Sequence, residues 1–427
     1  MSSQAYPQIA IKNFGPIKEF GFSLKNFNIF TGPQASGKST VAKAVFFCRT
    51  IKNEIVDQIR LPKREDVYPV SLEKGIEKRL RKKFLQMFGS TWAMPMSMEI
   101  VYYYAEDKYV RVFLEESKGG DNKNFVKFEF SDCIMEYISG LSEKDYTDSA
   151  MLDDLRQEIN GLFEDEYECI YIPAGRAMIT LLTDQISYIF SSSTPEISTT
   201  IDYCTRNYVE QIMKFRPLFK EGMQGLFSDK LKYTQDKINK PEAGMMMEFA
   251  RKVLKGDYRY VGAEERLMLD DGKYVKINYA SSGQQESSWI FNFLFYYMLN
   301  KRRVFMIIEE PEAHLYPEAQ YNMSKALSLF ANSESEVLVT THSPYLLGAF
   351  NNLLYSSQLS EEAIQNQNVI DRSVVLEADD TIAYHMNNGD TRNAMDEGLI
   401  LNELIDGAAS MINEECDRIM ELIWEDN

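Results

Sequence analysis

The chain has 427 residues, 44% of them hydrophobic and 26% charged, which supplies a large apolar core within an ordinary soluble composition. A formal net charge of −18 excludes adhesion to nucleic acid by bulk charge, so any such contact would need a local basic face. Five cysteines (Cys48, Cys133, Cys169, Cys204, Cys416) fall without a CxxC pair, which speaks against a zinc site or a disulfide framework and for a reducing compartment.

The opening MSSQAYPQIAIKNF lacks the basic head and apolar run of a signal peptide. The longest apolar run, 289–299, is shorter than the roughly 20 residues that cross a bilayer and reads as a buried helix. The expectation is a cytoplasmic protein with no membrane segment. "IAIKNFGPI" and "FGFSLKNFNIF" are short apolar or alternating spans joined by a Gly-Pro turn, which predicts strands.

The last of these strands runs into Gly32, Pro33, Gln34, Ala35, Ser36, Gly37, Lys38, Ser39 and Thr40. Glycines let backbone N–H groups converge without a Cβ in the way, and a helix opening near Lys38 adds the partial positive charge of its N-terminus. Lys38 can reach β- and γ-phosphates, and the Ser39 hydroxyl can ligate Mg²⁺. With a strand before and a helical pattern after (Val41, Ala42, Val45, Phe46), the loop reads as a nucleotide site.

The helix is expected to continue to about Arg60, and a second to cover 72–88. Its stretch "KGIEKRLRKK" (Lys74, Lys78, Arg79, Arg81, Lys82, Lys83) is the best basic face in the chain, although a solvated helix surface is the plainer reading. "MSMEIVYYYAE", "KYVRVFLEE" and "NFVKFEFSD" predict antiparallel strands. A helix over 151–164 follows, then a short strand in "YECIYIPAGR". From 177 to about 255 the pattern is helical. Met178, Leu181, Leu182, Ile186 and Ile189 form a stripe that reads as the core of a helical subdomain. A hairpin region with "DDGK" as a turn precedes 280.

Three motifs lie downstream. "ASSGQQE", 280–286, is a small-residue turn at a helix start, able to cap the helix or to meet an anion. In "RRVFMIIEEPEAHLYP" an apolar strand delivers two carboxylates to a sheet edge. Glu309 can orient Mg²⁺, and Glu310 can take a proton from an attacking water. In "EVLVTTHSPYLL" another apolar strand ends at His342, where a γ-phosphate would lie if the two strands are neighbours.

Phosphate loop, SSGQ turn, Glu-Glu-Pro strand and Thr-His strand, in that order, resemble an ABC-type ATPase head of the SMC, RecF and OLD (overcoming lysogenization defect) group, within the wider class of AAA ATP-binding proteins. The likeness covers roughly 8–60 and 265–350. It implies an α/β fold, with a mixed P-loop sheet, an antiparallel β subdomain and a helical insertion. The implied division is 1–175 for an N-terminal lobe, 176–260 for the insertion and 261–427 for a C-terminal lobe. The nine residues from Gly32 to Thr40 resemble the Walker A loop, Glu310 the catalytic base, and His342 the switch histidine. Ser39 and Glu309 would serve Mg²⁺. Ser281, Ser282, Gly283 and Gln284 resemble the signature that meets a second subunit's ATP. Glu312, Ala313, His314 and Leu315 resemble the D-loop, which places His314 at a dimer interface. Glu309 stands where an aspartate is usual, and the Q-loop glutamine has no clear counterpart beyond Gln86.

The resemblance thus implies an ATPase using ATP and Mg²⁺, working as a homodimer or higher homo-oligomer. After His342, Asp379 and Asp380 in "LEADDTIAYHMNNGD" read as a hairpin turn, and a helix over 408–424 is expected to close the head, leaving little scaffold for a nuclease. Stand-alone heads of this kind resemble the ATPase subunits of antiphage systems such as Septu, PARIS and ATPase-containing retrons. There a separate effector, a nuclease or toxin, is controlled. The alternative is a DNA-repair or chromosome-maintenance ATPase of RecF/SMC type, with DNA as partner, and a third reading is an ATP-binding scaffold.

Overall fold

The computed structural model describes residues 7–60, 71–91, 94–116, 124–141, 149–180, 201–233, 239–360, 362–363 and 370–425. The architecture is α/β. Fourteen strands carry the argument below: β1 (Gln8–Phe14), β2 (Ile17–Ser23), β3 (Phe27–Thr31), β4 (Glu99–Ala105), β5 (Lys108–Glu116), β6 (Asn124–Phe130), β7 (Glu168–Ile172), β8 (Asp257–Val261), β9 (Glu264–Met268), β10 (Tyr274–Lys276), β11 (Val304–Glu309), β12 (Glu336–Thr341), β13 (Thr381–Asn387) and β14 (Asp390–Asn393).

The central sheet has the order β14-β13-β3-β12-β11-β7, and only the edge strand β14 runs antiparallel to its neighbour. Its inner strands β3, β12 and β11, with β7 at the edge, are buried on both faces, which is why they read as largely apolar runs. Alternate residues serve different cores. Phe27, Ile29, Ile172, Met306, Ile308 and Val339 pack with the helices Ser282–Leu299 and Pro317–Ala331. Phe30, Tyr171, Phe305, Ile307 and Leu338 pack with the helix Lys38–Arg49 and the second sheet. That second sheet, β2-β1-β4-β5-β6, is antiparallel throughout. The mixed sheet and separate antiparallel sheet expected of an ABC-type head are therefore both present. Residues 289–299 belong to a helix buried along nearly its whole length, as its composition requires.

Several local expectations change. The helix after the phosphate loop is two helices, Lys38–Arg49 and Ile51–Ile59. Thr50 breaks it: its hydroxyl donates to Phe46 O at 2.6 Å, in competition with the helical ladder. Met178 is exposed while Ile179 is buried; Leu181, Leu182, Ile186 and Ile189 lie outside the described residues. Asp379 and Asp380 fall in a single 3-10 turn rather than a hairpin. The strand that follows, β13, pairs in parallel with β3 as a member of the central sheet, and the hairpin comes later, between β13 and β14. The C-terminal helix starts at Asn402 and ends at Glu425. Leu404 and Ile405 pack against the core, but Met411 and Ile412 further along are exposed, so its later turns do not close the head. Among the described residues, no helix is long and apolar enough to cross a membrane.

Candidate functional site

Strand register builds the site. Thr31 pairs with Thr341, Thr340 with Glu309, and Ile308 with Ile172, so four parallel strands end at one edge. The chain leaves each strand there, and polar side chains at that edge cannot sink into the apolar sheet beneath. The phosphate loop rises from β3. Gly32 has a φ of +140°, and a Cβ there would lie 2.0 Å from Met386 O on β13, so only glycine fits between the two strands. The helix opens at Lys38 with Gly37 as its N-cap, and no side chain caps its first N–H groups, which leaves donors for an anion.

Lys38 is buried, and its Nζ donates to Gly32 O and Pro33 O at 2.8 Å each, with Ser36 Oγ at 3.4 Å. Burial lowers its pKa, and the carboxylates of Glu310, Glu312 and Glu309 oppose that shift. Lys38 also lies 3.4 Å from His342 Nδ1, and the other ring nitrogen lies 3.0 Å from Glu310 Oε1. The structure thus joins loop lysine, histidine and acid in one chain of contacts. Ser39 is exposed at the helix start.

The adjacent acids are held differently. Glu309 is buried at the end of β11; its Oε2 accepts the Ala174 N–H at 3.0 Å, whereas Oε1 is buried with no hydrogen-bond partner. Glu310 leaves the strand with a φ of +44°, which turns its side chain toward His342. Glu312 accepts from Thr341 Oγ1 at 2.6 Å and from the His342 N–H at 2.8 Å, so this residue tethers the histidine strand.

An orphaned oxygen on Glu309 beside a phosphate loop fits a Mg²⁺–nucleotide. Among the described residues no group of three or more His, Cys, Asp or Glu side chains could hold a metal alone. A nucleotide-borne Mg²⁺ needs only one or two protein carboxylates, since phosphate and water supply its other ligands.

Ser281 and Ser282 are exposed at the start of the helix Ser282–Leu299. Ser281 and Gln284 form a capping box: the serine Oγ accepts the Gln284 N–H at 3.4 Å, and Gln284 Oε1 accepts the Ser281 N–H at 2.9 Å. Gly283 packs so closely on the 312–315 turn that a Cβ would lie 2.7 Å from His314 O. His314 itself is exposed, as is Tyr316.

The sequence shows a Pro-Ala-Gly-Arg turn after β7 but gives no direct sign that it belongs to the site. Pro173, Ala174, Gly175 and Arg176 lie at the carboxyl end of the strand beside β11. Arg176 is wholly buried there and donates to the Glu309 and Glu310 carbonyls. The available signal was a short apolar strand ending in a polar turn, the same pattern that marked the other site strands. Gln86 sits on the helix Leu72–Phe88, which packs against the helix Ile51–Ile59 and β6 rather than at this edge.

The sequence profile of the AAA ATPase domain matches residues 7–347. The chain belongs to the AAA ATPase domain family. No curated relative matches it. Among solved structures, an SMC head bound to the C-winged helix domain of ScpA is 14% identical at a TM-score of 0.41, covering 94% of this chain and 99% of that one. A Pyrococcus furiosus SMC head with an extended coiled coil, bound to the ScpA C-terminal domain, gives 14% and 0.41, covering 96% of this chain and 99% of that one. An SMC head from Thermotoga maritima gives 11% and 0.33, over 91% and 98%.

Proposed function

We propose that the chain binds and hydrolyses ATP with Mg²⁺, and that two copies engage around the nucleotide, each site completed by the Ser281–Gln284 turn of the other copy. The observation that carries this reading is the contact chain Lys38–His342–Glu310, with the orphaned Glu309 oxygen beside it. Glu310 takes the proton of the attacking water, His342 holds Glu310 and meets the γ-phosphate, and Lys38 neutralises phosphate charge. The exposed Tyr279, Tyr316 and Tyr345 support a partner-facing edge, since each lies within three residues of a site segment.

At a finer level the head serves as the sensor or scaffold subunit of an antiphage system, controlling a separate nuclease or toxin. The DNA-directed alternative gains little from the basic helix. Arg79 and Lys83 pair with Glu54, and Arg81 pairs with Glu77, which leaves Lys74, Lys78 and Lys82 as its exposed cations.

The deciding experiment replaces Ser281 with Arg, which sets a bulky cation against the partner's nucleotide. ATP affinity should hold while hydrolysis and MgATP-dependent dimerisation, followed by sedimentation, are lost. Normal turnover independent of protein concentration would sink the shared-site reading.

A further inference from the structure

The buried pair Arg176–Glu286 has no place in the mechanism above. Arg176 and Glu286 are 0% and 1% exposed. In an ordinary buried ion pair the guanidinium fork would grip the carboxylate. Here only Nε faces Glu286, at 3.0 Å from Oε2 and 3.0 Å from the Glu286 carbonyl oxygen. The two fork nitrogens turn away. Nη1 donates to Pro173 O at 2.8 Å and to Glu309 O, and Nη2 donates to Glu310 O at 2.8 Å. The Glu286 carboxylate accepts the backbone N–H groups of Arg176 at 3.1 Å and Ala177 at 2.9 Å.

One side chain therefore grips the backbone of both site acids and the first turns of the helix capped by Ser281. Glu310 needs that grip. Its left-handed φ of +44° is costly for a residue with a side chain. Its N–H donates to Thr340 O at 2.8 Å, and its carbonyl is shared between Arg176 and the Ala313 N–H. The conformation held in this way brings Glu310 to 3.0 Å from His342. At about 1.5 Å per residue, Ser281 lies only some 7–8 Å along the helix from Glu286.

We propose that Arg176 is a positioning residue for Glu310, and that with Glu286 it ties the orientation of the base to the helix start that meets the partner's nucleotide. When the partner's ATP seats on Ser281, the helix start, the Arg176 fork and the Glu310 backbone settle as one body. This inference rests on the reading of Glu310 as the base.

The test is a double-mutant cycle in the full chain. Arg176→Lys keeps the charge and loses the fork. It should cut single-turnover ATP hydrolysis about 10- to 100-fold while the MgATP Kd changes less than about 3-fold. In a Glu310→Gln background the same substitution should cost less than about 3-fold more, because there is no base left to orient. General loosening of the fold would not produce this split between hydrolysis and ATP affinity. Glu286→Gln retains an acceptor for the Ala177 N–H and should show a smaller loss of the same kind. An equal loss in both backgrounds, a matching loss of ATP affinity, or unchanged hydrolysis in both variants would overturn the proposal. So would melting curves showing that neither variant folds, since the pair would then hold the fold and not the base. If Glu310→Gln alone hydrolyses ATP at the wild-type rate, the base assignment itself fails, an outcome distinct from all of these.

Discussion

Lys38 and Glu310 bear on different steps, and their substitution should separate them. In the proposed site Lys38 supplies the charge for phosphate, and its amine touches two loop carbonyls. Lys38→Ala should abolish measurable ATP binding in titration calorimetry, since neither charge nor loop tether remains. Glu310→Gln is nearly isosteric and keeps a contact to His342, so ATP affinity should survive. Turnover should fall about 10²- to 10⁴-fold, the usual cost of losing a general base, and MgATP-dependent dimers should persist longer in mass photometry. Glu309→Gln should instead weaken Mg²⁺ dependence and nucleotide affinity together, because its free oxygen is the one that fits the ion. Wild-type turnover in Glu310→Gln would move the base to Glu309 or Glu312.

At the level of elements, the two ends of the central sheet do different work. The carboxyl ends hold the site, while the amino ends are locked by a buried ionic cluster. Arg49, at the end of the helix that the phosphate loop starts, lies 3.2 Å from Asp165 and 2.6 Å from Glu336, the first residue of β12. It also stacks 4.1 Å over the Phe305 ring of β11. Arg49→Ala would take from Glu336 its ion-pair partner and leave Asp165 to Lys52 alone, 3.4 Å away, which should cost about 3–5 kcal/mol of stability in denaturant unfolding. ATP affinity measured well below the melting point should stay unchanged, because the cluster is a helix length from the loop. Gly283 makes the opposite case. A side chain there would press on the His314 backbone, so Gly283→Val should reduce dimer engagement more than it reduces ATP binding, read by sedimentation beside calorimetry.

For the whole molecule, the proposed sharing of sites between copies makes a mixing prediction. Lys38→Ala and Ser281→Arg chains should each be inactive alone. Mixed, they should recover hydrolysis, since a heterodimer contains one site with an intact Lys38 and an intact Ser281. No recovery across a range of ratios would place both residues in the same chain's site. A pH dependence of stability follows from His385, which pairs with Thr31 at the edge of the phosphate loop. Burial pushes its pKa below the ordinary 6.5, with the Arg392 and Lys38 charges adding to the effect and Glu403 opposing it. The unfolded chain therefore takes up this proton more readily than the folded one. Stability should be complete above the ordinary histidine value and fall as pH drops through it. His385→Gln should flatten the fall in melting temperature between about pH 7.5 and pH 5.5.

By itself the sequence determined the features that depend on local spacing. The loop from Gly32 to Thr40 announces itself because backbone geometry and phosphate chemistry require those residue types side by side. β3, β11 and β12 are legible because strands buried on both faces must be apolar without a break, and Glu309, Glu310 and His342 are legible because they end those runs. Tertiary structure alone decided what depends on register. It set β7 beside β11 and so brought Arg176 under Glu309 and Glu310, although more than 130 residues separate them. It turned Asp379 and Asp380 into the approach to a sheet strand, and it cancelled much of the basic helix by placing Glu54 against Arg79 and Lys83. Periodicity reports which face of an element is buried, but not which element covers it. A buried arginine among apolar neighbours reads the same as an exposed one until its partners are placed.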